Sequence, residues 1–263
     1  MARLFKVLVL LFGLGLMLLL GYSFVYSATQ GAEERCEKLR VSVKDSAHHR
    51  FMTPERVEQY LQLRLGVLEG LRLDSINTHR IEGIIAELPS VREVQAYTVG
   101  LGELRINVWQ RTPLFRIIDG KQGACYVDAH GRTFPLDSQY AAHVLVVSGN
   151  LPAPPPDITH CDSTTSVRWR TFWPQLFELV QYLQQDRLWK NLFCQVYIVS
   201  PQRVELIPRV GGQIVVLGAI DGYQYKLNKL WSYFRTDLPQ EVRDQYAQID
   251  LSYSNQIVCQ KKR

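Results

Sequence analysis

The 263-residue chain lacks every short signature that would make an enzyme of it. There is no GxSxG elbow, no Walker phosphate loop, no HExxH helix and no GxGxxG dinucleotide turn. There is no CxxC pair either. Its five cysteines, Cys36, Cys125, Cys161, Cys194 and Cys259, stand far apart, and an odd number excludes a complete disulfide framework. A bridge from Cys36 to one of the others stays open in an oxidising compartment. Cys125, Cys194 and Cys259 fall in strand-like runs and read as small buried apolar residues. No long basic tract is present: 30 Lys and Arg stand against 25 Asp and Glu, which gives nucleic acid no footing.

The residues left to do chemistry are poorly placed for it. His48 and His49 are adjacent, so they cannot face one metal from a strand, and no Cys, His or Asp stands near them at ligand spacing. Asp128 and His130 flank Gly131 in a turn, where both residue types are ordinary. His160-Cys161 lies in a proline-rich loop, where no orienting carboxylate is expected close by. Trp169, Phe172 and Trp173 share a helical stripe and read as core. The expectation is no catalytic residue, no metal ligand and no cofactor.

One feature is present in excess. From Val7 to Val25 the chain is uncharged, and nineteen residues at about 1.5 Å each span roughly the 30 Å core of a bilayer. Arg3 and Lys6 precede the run, while the far flank mixes Glu33, Glu34 and Glu37 with Arg35, Lys38 and Arg40. By the positive-inside rule the short end stays in the cytoplasm and the bulk faces outward. This predicts a cytoplasmic arm over 1–6 and a single transmembrane helix over 7–27. Val25-Tyr26-Ser27 would also serve as a signal-peptide cleavage site, but the run is longer than the usual 7–15 residues of such peptides, and length favours a retained anchor. The remainder folds: 46% hydrophobic and 21% charged residues do not describe a disordered stalk.

Periodicity organises the rest. Leu39, Val41 and Val43 alternate with polar residues as a strand; Thr53-Pro54-Glu55 opens a helix striped by Val57, Tyr60, Leu61 and Leu65. Asn77 caps a second helix through Ile81, Ile84, Ile85 and Leu88, stopped at Pro89. Strands at 91–99 and 103–109 follow, joined at Gly100-Leu101-Gly102. The order is β-α-α-β-β. Beyond Thr112-Pro113 come short strands, with a turn over Asp119–Gly123 and a glycine-bearing hairpin over 126–136. A helix then follows with Pro174 expected in its first turn. Three strands, a helix near 222–234 and a closing strand over 247–259 complete the chain, with Ile249, Leu251 and Tyr253 on one face of that last strand.

Four of these pieces resemble the bacterial cell-division family FtsQ/DivIB. The β-α-α-β-β unit behind a short anchor looks like a POTRA domain. Leu104-Arg105-Ile106-Asn107-Val108-Trp109-Gln110-Arg111-Thr112-Pro113 is similar to the family's join between POTRA and β domain, with Gln110 where an acid is usual. Tyr126-Val127-Asp128-Ala129-His130-Gly131-Arg132-Thr133-Phe134 is close to its hairpin, and Ile249-Asp250-Leu251-Ser252-Tyr253 resembles its last strand, with Ser252 where a basic residue is usual.

The resemblance implies an α+β protein: one N-terminal transmembrane helix, a POTRA domain over 34–111 and an FtsQ-type β domain with flanking helices over 112–260. It implies a non-catalytic divisome scaffold of the inner membrane, its bulk in the periplasm at the midcell division site, linking early and late septal proteins. FtsB- and FtsL-like bitopic proteins would be its partners, with FtsK-like and FtsW/FtsI-like proteins reaching the POTRA domain. The docking edge for the FtsB-like partner would be Tyr253, Ser254, Asn255, Gln256, Ile257 and Val258. The competing readings are a membrane-anchored envelope hydrolase and a POTRA-type transport or assembly factor. The first needs convergent polar groups in a cleft, and the second needs several POTRA repeats or barrel strands.

Overall fold

The alternation of Leu39, Val41 and Val43 becomes strand β1 (Lys38–Val43) in the computed structural model of the protein. That structure describes residues 12–24, 34–44, 50–99, 102–119, 123–161, 166–237 and 239–262. The chain divides into two units, Met1–Gln110 and Arg111–Arg263.

At the N-terminus, residues 12–24 form helix α1, and its Phe12, Leu16, Met17 and Leu20 are exposed. At about 1.5 Å per residue the described stretch is about 20 Å long. Among the described residues, no helix is long and apolar enough to cross a membrane. The arm over 1–6, the two ends of the expected span and the Val25-Tyr26-Ser27 cleavage site lie outside the described residues. So do His48-His49, Gly100-Leu101 and Gly120-Lys121-Gln122.

The first unit continues with α2 (Pro54–Leu65), α3 (Thr78–Ala86), β2 (Val91–Val99) and β3 (Glu103–Gln110). Both helix starts follow from their caps. The Thr53 hydroxyl accepts the Arg56 N–H at 3.4 Å and the Asn77 side chain accepts the Arg80 N–H at 2.9 Å. The sheet order is β1-β3-β2, with β1 parallel and β2 antiparallel to the central β3. Alternation on β3 puts Leu104, Ile106 and Val108 into the core with Val57, Leu61, Ile81 and Ile85 from the helices. Tyr60 and Ile84 are only half-buried, and the Tyr60 hydroxyl turns outward to Glu87 at 3.3 Å. Gln110 is fully buried, its Oε1 accepting the Met52 N–H at 2.8 Å. Leu104→Asp would bury a carboxylate in this small core at a cost of about 3 kcal/mol or more. The expected result is loss of the unit's cooperative melting by circular dichroism; an unchanged melt contradicts the placement of β3.

The second unit carries β4 (Pro113–Asp119), β5 (Gly123–Asp128), β6 (Thr133–Pro135), β7 (Leu145–Gly149), α4 (Val167–Gln185), α5 (Arg187–Leu192), β8 (Phe193–Ser200), β9 (Arg203–Pro208), β10 (Ile214–Gly218), α6 (Tyr223–Phe234), α7 (Gln240–Arg243), β11 (Tyr246–Asp250) and β12 (Val258–Lys261). One nine-stranded sheet runs β12-β11-β10-β9-β8-β7-β4-β5-β6. Helices α4 and α6 supply Trp173, Leu176, Leu179, Val180, Leu183, Leu227 and Leu230 to its core, against Phe115, Ile117, Val147, Val196, Leu206 and Ile249 of the strands. Helix burial thus goes where an apolar sheet face must be covered.

Three expectations are corrected here. Pro174 sits well inside α4, not in its first turn, and takes one i to i−4 bond from the helix. The described cysteines are all free. Cys36 is the buried one, while Cys125, Cys194 and Cys259 are half-buried. The closing segment is two antiparallel strands, β11 and β12, rather than one. The reason is local: the Asp250 Oδ1 accepts both the N–H (2.9 Å) and the hydroxyl (2.6 Å) of Ser252, and this side-chain turn ends β11. Ile249 and Leu251 are buried, but Tyr253, expected on the same strand face, is 49% exposed beyond the turn.

Candidate docking edge

Among the described residues, strand β12 stands at one end of the nine-stranded sheet and pairs only with β11. The Lys262 N–H turns inward to the Gln245 carbonyl at 2.7 Å. In an antiparallel ladder the direction alternates, so the backbone groups of Lys261 and Cys259 face the open side. An open edge of this kind is a template for one more strand. The exposed side chains of Val258, Gln260 and Lys261 leave it uncovered.

The turn leading into β12 is held by α6. The Lys229 ammonium donates to the carbonyls of Leu251 (3.1 Å), Gln256 (3.4 Å) and Tyr253. The Tyr225 hydroxyl donates to the Ser254 carbonyl at 2.9 Å, and its ring lies 5.4 Å from Lys229 Nζ. Partial burial holds the Lys229 pKa below the usual lysine value, with Lys226 pushing the same way and Asp250 opposing. Between α6 and the turn runs a groove of about 450 Å³ lined by Tyr225, Asn228, Tyr233, Asn255, Gln256 and Ile257. The Tyr233 phenol is pushed up to about 12, first by burial and then by the neighbouring Cys259.

The sequence-predicted residues therefore fall on three kinds of position. Tyr253, Ser254, Asn255 and Gln256 are exposed in the turn; Ile257 packs partly against the core; Val258 opens β12. They form a turn and a strand start, not one continuous strand. Sequence reasoning missed Cys259, Gln260 and Lys261 of the actual edge, and Tyr225 and Lys229 of α6. The i, i+4 spacing of the last two marks a shared helix face, but nothing local says that turn carbonyls lie over it.

The other candidates resolve into structure. Asp128 is 2% exposed; its Oδ2 meets Arg111 Nη1 at 2.8 Å and its Oδ1 accepts the N–H groups of His130 and Arg132, both at 2.9 Å. Against expectation, a carboxylate does stand beside His160: Asp157 Oδ2 lies 3.9 Å from Nδ1. Its Oδ1 is engaged by the N–H and hydroxyl of Thr159 (2.9 and 2.6 Å), and the Cys161 thiol donates to the Ile158 carbonyl at 3.6 Å. This is a loop-forming network, not a nucleophile with its base. Phe172 and Trp173 are core residues, and Trp169 packs edge-on to Phe172 with centroids 5.1 Å apart. Among the described residues, no three His, Cys, Asp or Glu side chains are grouped to hold a metal.

Residues 112–260 match the family described as FtsQ/DivIB, C-terminal related, and residues 34–109 match the POTRA-like domain. No curated protein matches the chain.

Proposed function

The chain belongs to the FtsQ/DivIB family of cell-division proteins, and from that premise we propose that it is a non-catalytic scaffold of the divisome. It is held in the inner membrane by a helix over residues 7–27, with an arm over 1–6 inside and two domains, 34–111 and 112–260, in the periplasm. It joins early to late septal proteins by offering backbone, not by turning over a substrate. An FtsB-like bitopic partner adds an extended segment to β12 and contacts Tyr253, Ser254, Asn255, Gln256, Ile257 and Val258 on the way in. An FtsL-like protein arrives with it, and FtsK-like and FtsW/FtsI-like proteins meet the POTRA domain. The observation that supports this reading best is the open β12 edge beside a turn already held by Lys229 and Tyr225.

A charge at Ile257 tests this poorly, because that side chain also packs on the core. Lys261→Pro is cleaner: it deletes an N–H that faces the open side and spares the ladder to β11. Capture of an FtsB-like periplasmic segment by the full chain in detergent is expected to fall by about tenfold or more, with the melting temperature kept. Undiminished capture by the folded variant refutes strand addition at β12. A fluorescent N-terminal fusion of the wild-type chain is expected at midcell, and uniform membrane fluorescence refutes the divisome assignment.

A further inference from the structure

The loop between α2 and the Leu73–Ser75 turn carries aliphatic side chains outward. Val67 is 61% exposed and Leu71 44%, and Leu63, one turn earlier on α2, is 85% exposed, while Leu68 between them is buried. Single exposed aliphatics are ordinary, but a run of them rimmed by polar residues marks a contact surface. The backbone fixes where this loop sits. Cys36 N–H donates to the Leu71 carbonyl at 2.8 Å, Gly70 N–H to the Cys36 carbonyl at 2.7 Å, and Leu73 N–H to the Glu34 carbonyl at 2.9 Å. Arg35 Nη1 adds a bond to the Gly70 carbonyl at 2.9 Å. The loop is thus stitched to residues 34–36, the segment on which the chain arrives from its anchor. From Ser27 to Glu34 is seven residues, at most about 25 Å of extended chain.

We propose that Val67 and Leu71, with Leu63, insert into the headgroup region of the same bilayer that holds the anchor, so that the POTRA unit is docked on lipid at its N-terminal end. The proposal rests on the anchored reading given above. The tether selects lipid as the occupant, since this loop is the part of the unit kept nearest the membrane by covalent length. Apart from the exposed Glu69 between Val67 and Leu71, the rim carries both signs in pairs, Arg72 with Asp74 at 2.7 Å and Arg64 with Glu87; no excess of positive charge draws the loop to lipid, and apolar contact drives the docking. Salt then has little effect on it.

The test uses the full chain in phosphatidylethanolamine–phosphatidylglycerol vesicles, with a photoreactive diazirine residue at position 67, 71 or 210. Val210 is 84% exposed in the other unit and serves as the reference. Lipid adducts at 67 and 71 are expected on the order of tenfold above those at 210, equally at low and high salt. Adduct yields equal to those at 210, or adducts only to a second protein chain, overturn the proposal. Flotation and carbonate extraction of the same samples separate the two readings. A chain that leaves the vesicles refutes the anchor, and one that stays without labelling refutes the loop insertion alone.

Discussion

Asp128→Ala is expected to lower the stability of the second unit by about 3–5 kcal/mol, the range for removing one partner of a buried ion pair. With Asp128 gone, Arg111, whose side chain is only 21% exposed, loses its 2.8 Å contact with that carboxylate. The amides of His130 and Arg132 lose their acceptor as well, and these amides set the turn between β5 and β6. Asp128→Asn keeps one acceptor and the side chain's shape, so it is expected to lose less, about 1–3 kcal/mol. The surface pair Arg203–Glu205 is the contrast: it closes at 2.8 Å, yet Arg203 is 48% exposed, and Arg203→Ala is expected to cost about 1 kcal/mol or less. Urea denaturation of the three variants checks the order. Equal midpoints for Asp128→Ala and Arg203→Ala would show that the buried pair is not what holds the hairpin.

Gly149→Ala is expected to be comparably severe for a different reason. Gly149 ends β7 at φ 117°, where side-chain-bearing residues are strained, and it pairs with Ile198 of β8. A Cβ there would stand 2.2 Å from the Ile198 carbonyl oxygen and 2.8 Å from its nitrogen. These are main-chain atoms of a central strand, and the same carbonyl already accepts the Asn150 N–H at 2.7 Å. Nothing flexible is available to yield. Strain and overpacking together put the loss at about 3 kcal/mol or more. Gly66→Ala isolates the dihedral cost: its φ of 79° and ψ of −167° are a combination nearly exclusive to glycine, and a Cβ would meet open space, so about 1–3 kcal/mol is expected. If both variants melt alike, the close approach of β7 and β8 is not what demands glycine.

Much of the first unit was legible because its signals are local. Thr53-Pro54 and Asn77 cap the two helices that follow them, and the two-residue alternation of Leu104, Ile106 and Val108 points one strand face at the core. Where reading failed, a longer-range effect had won. Pro174 was expected near a helix start, but the packing of Phe172, Trp173 and Leu176 extends α4 ahead of it. The closing segment reads as one strand until Asp250 is seen to take two bonds from Ser252 and stop it. Asp157 stands three residues before His160, but in a proline-rich loop that spacing fixes no pairing, and only the folded loop brings the carboxylate to 3.9 Å. The candidate edge was half legible. Val258 lies on β12, but Lys229 and Tyr225 reach the turn from α6, more than twenty residues earlier, and no periodicity links them to it.

The lysine that gathers the carbonyls of Leu251, Tyr253 and Gln256 has an entropic consequence. A turn whose acceptors are already occupied arrives at an encounter with its shape decided, so association orders the incoming chain and leaves the host nearly unchanged. Under the docking reading, affinity differences among partner variants would then reside in how slowly they leave, not in how often they find a receptive host.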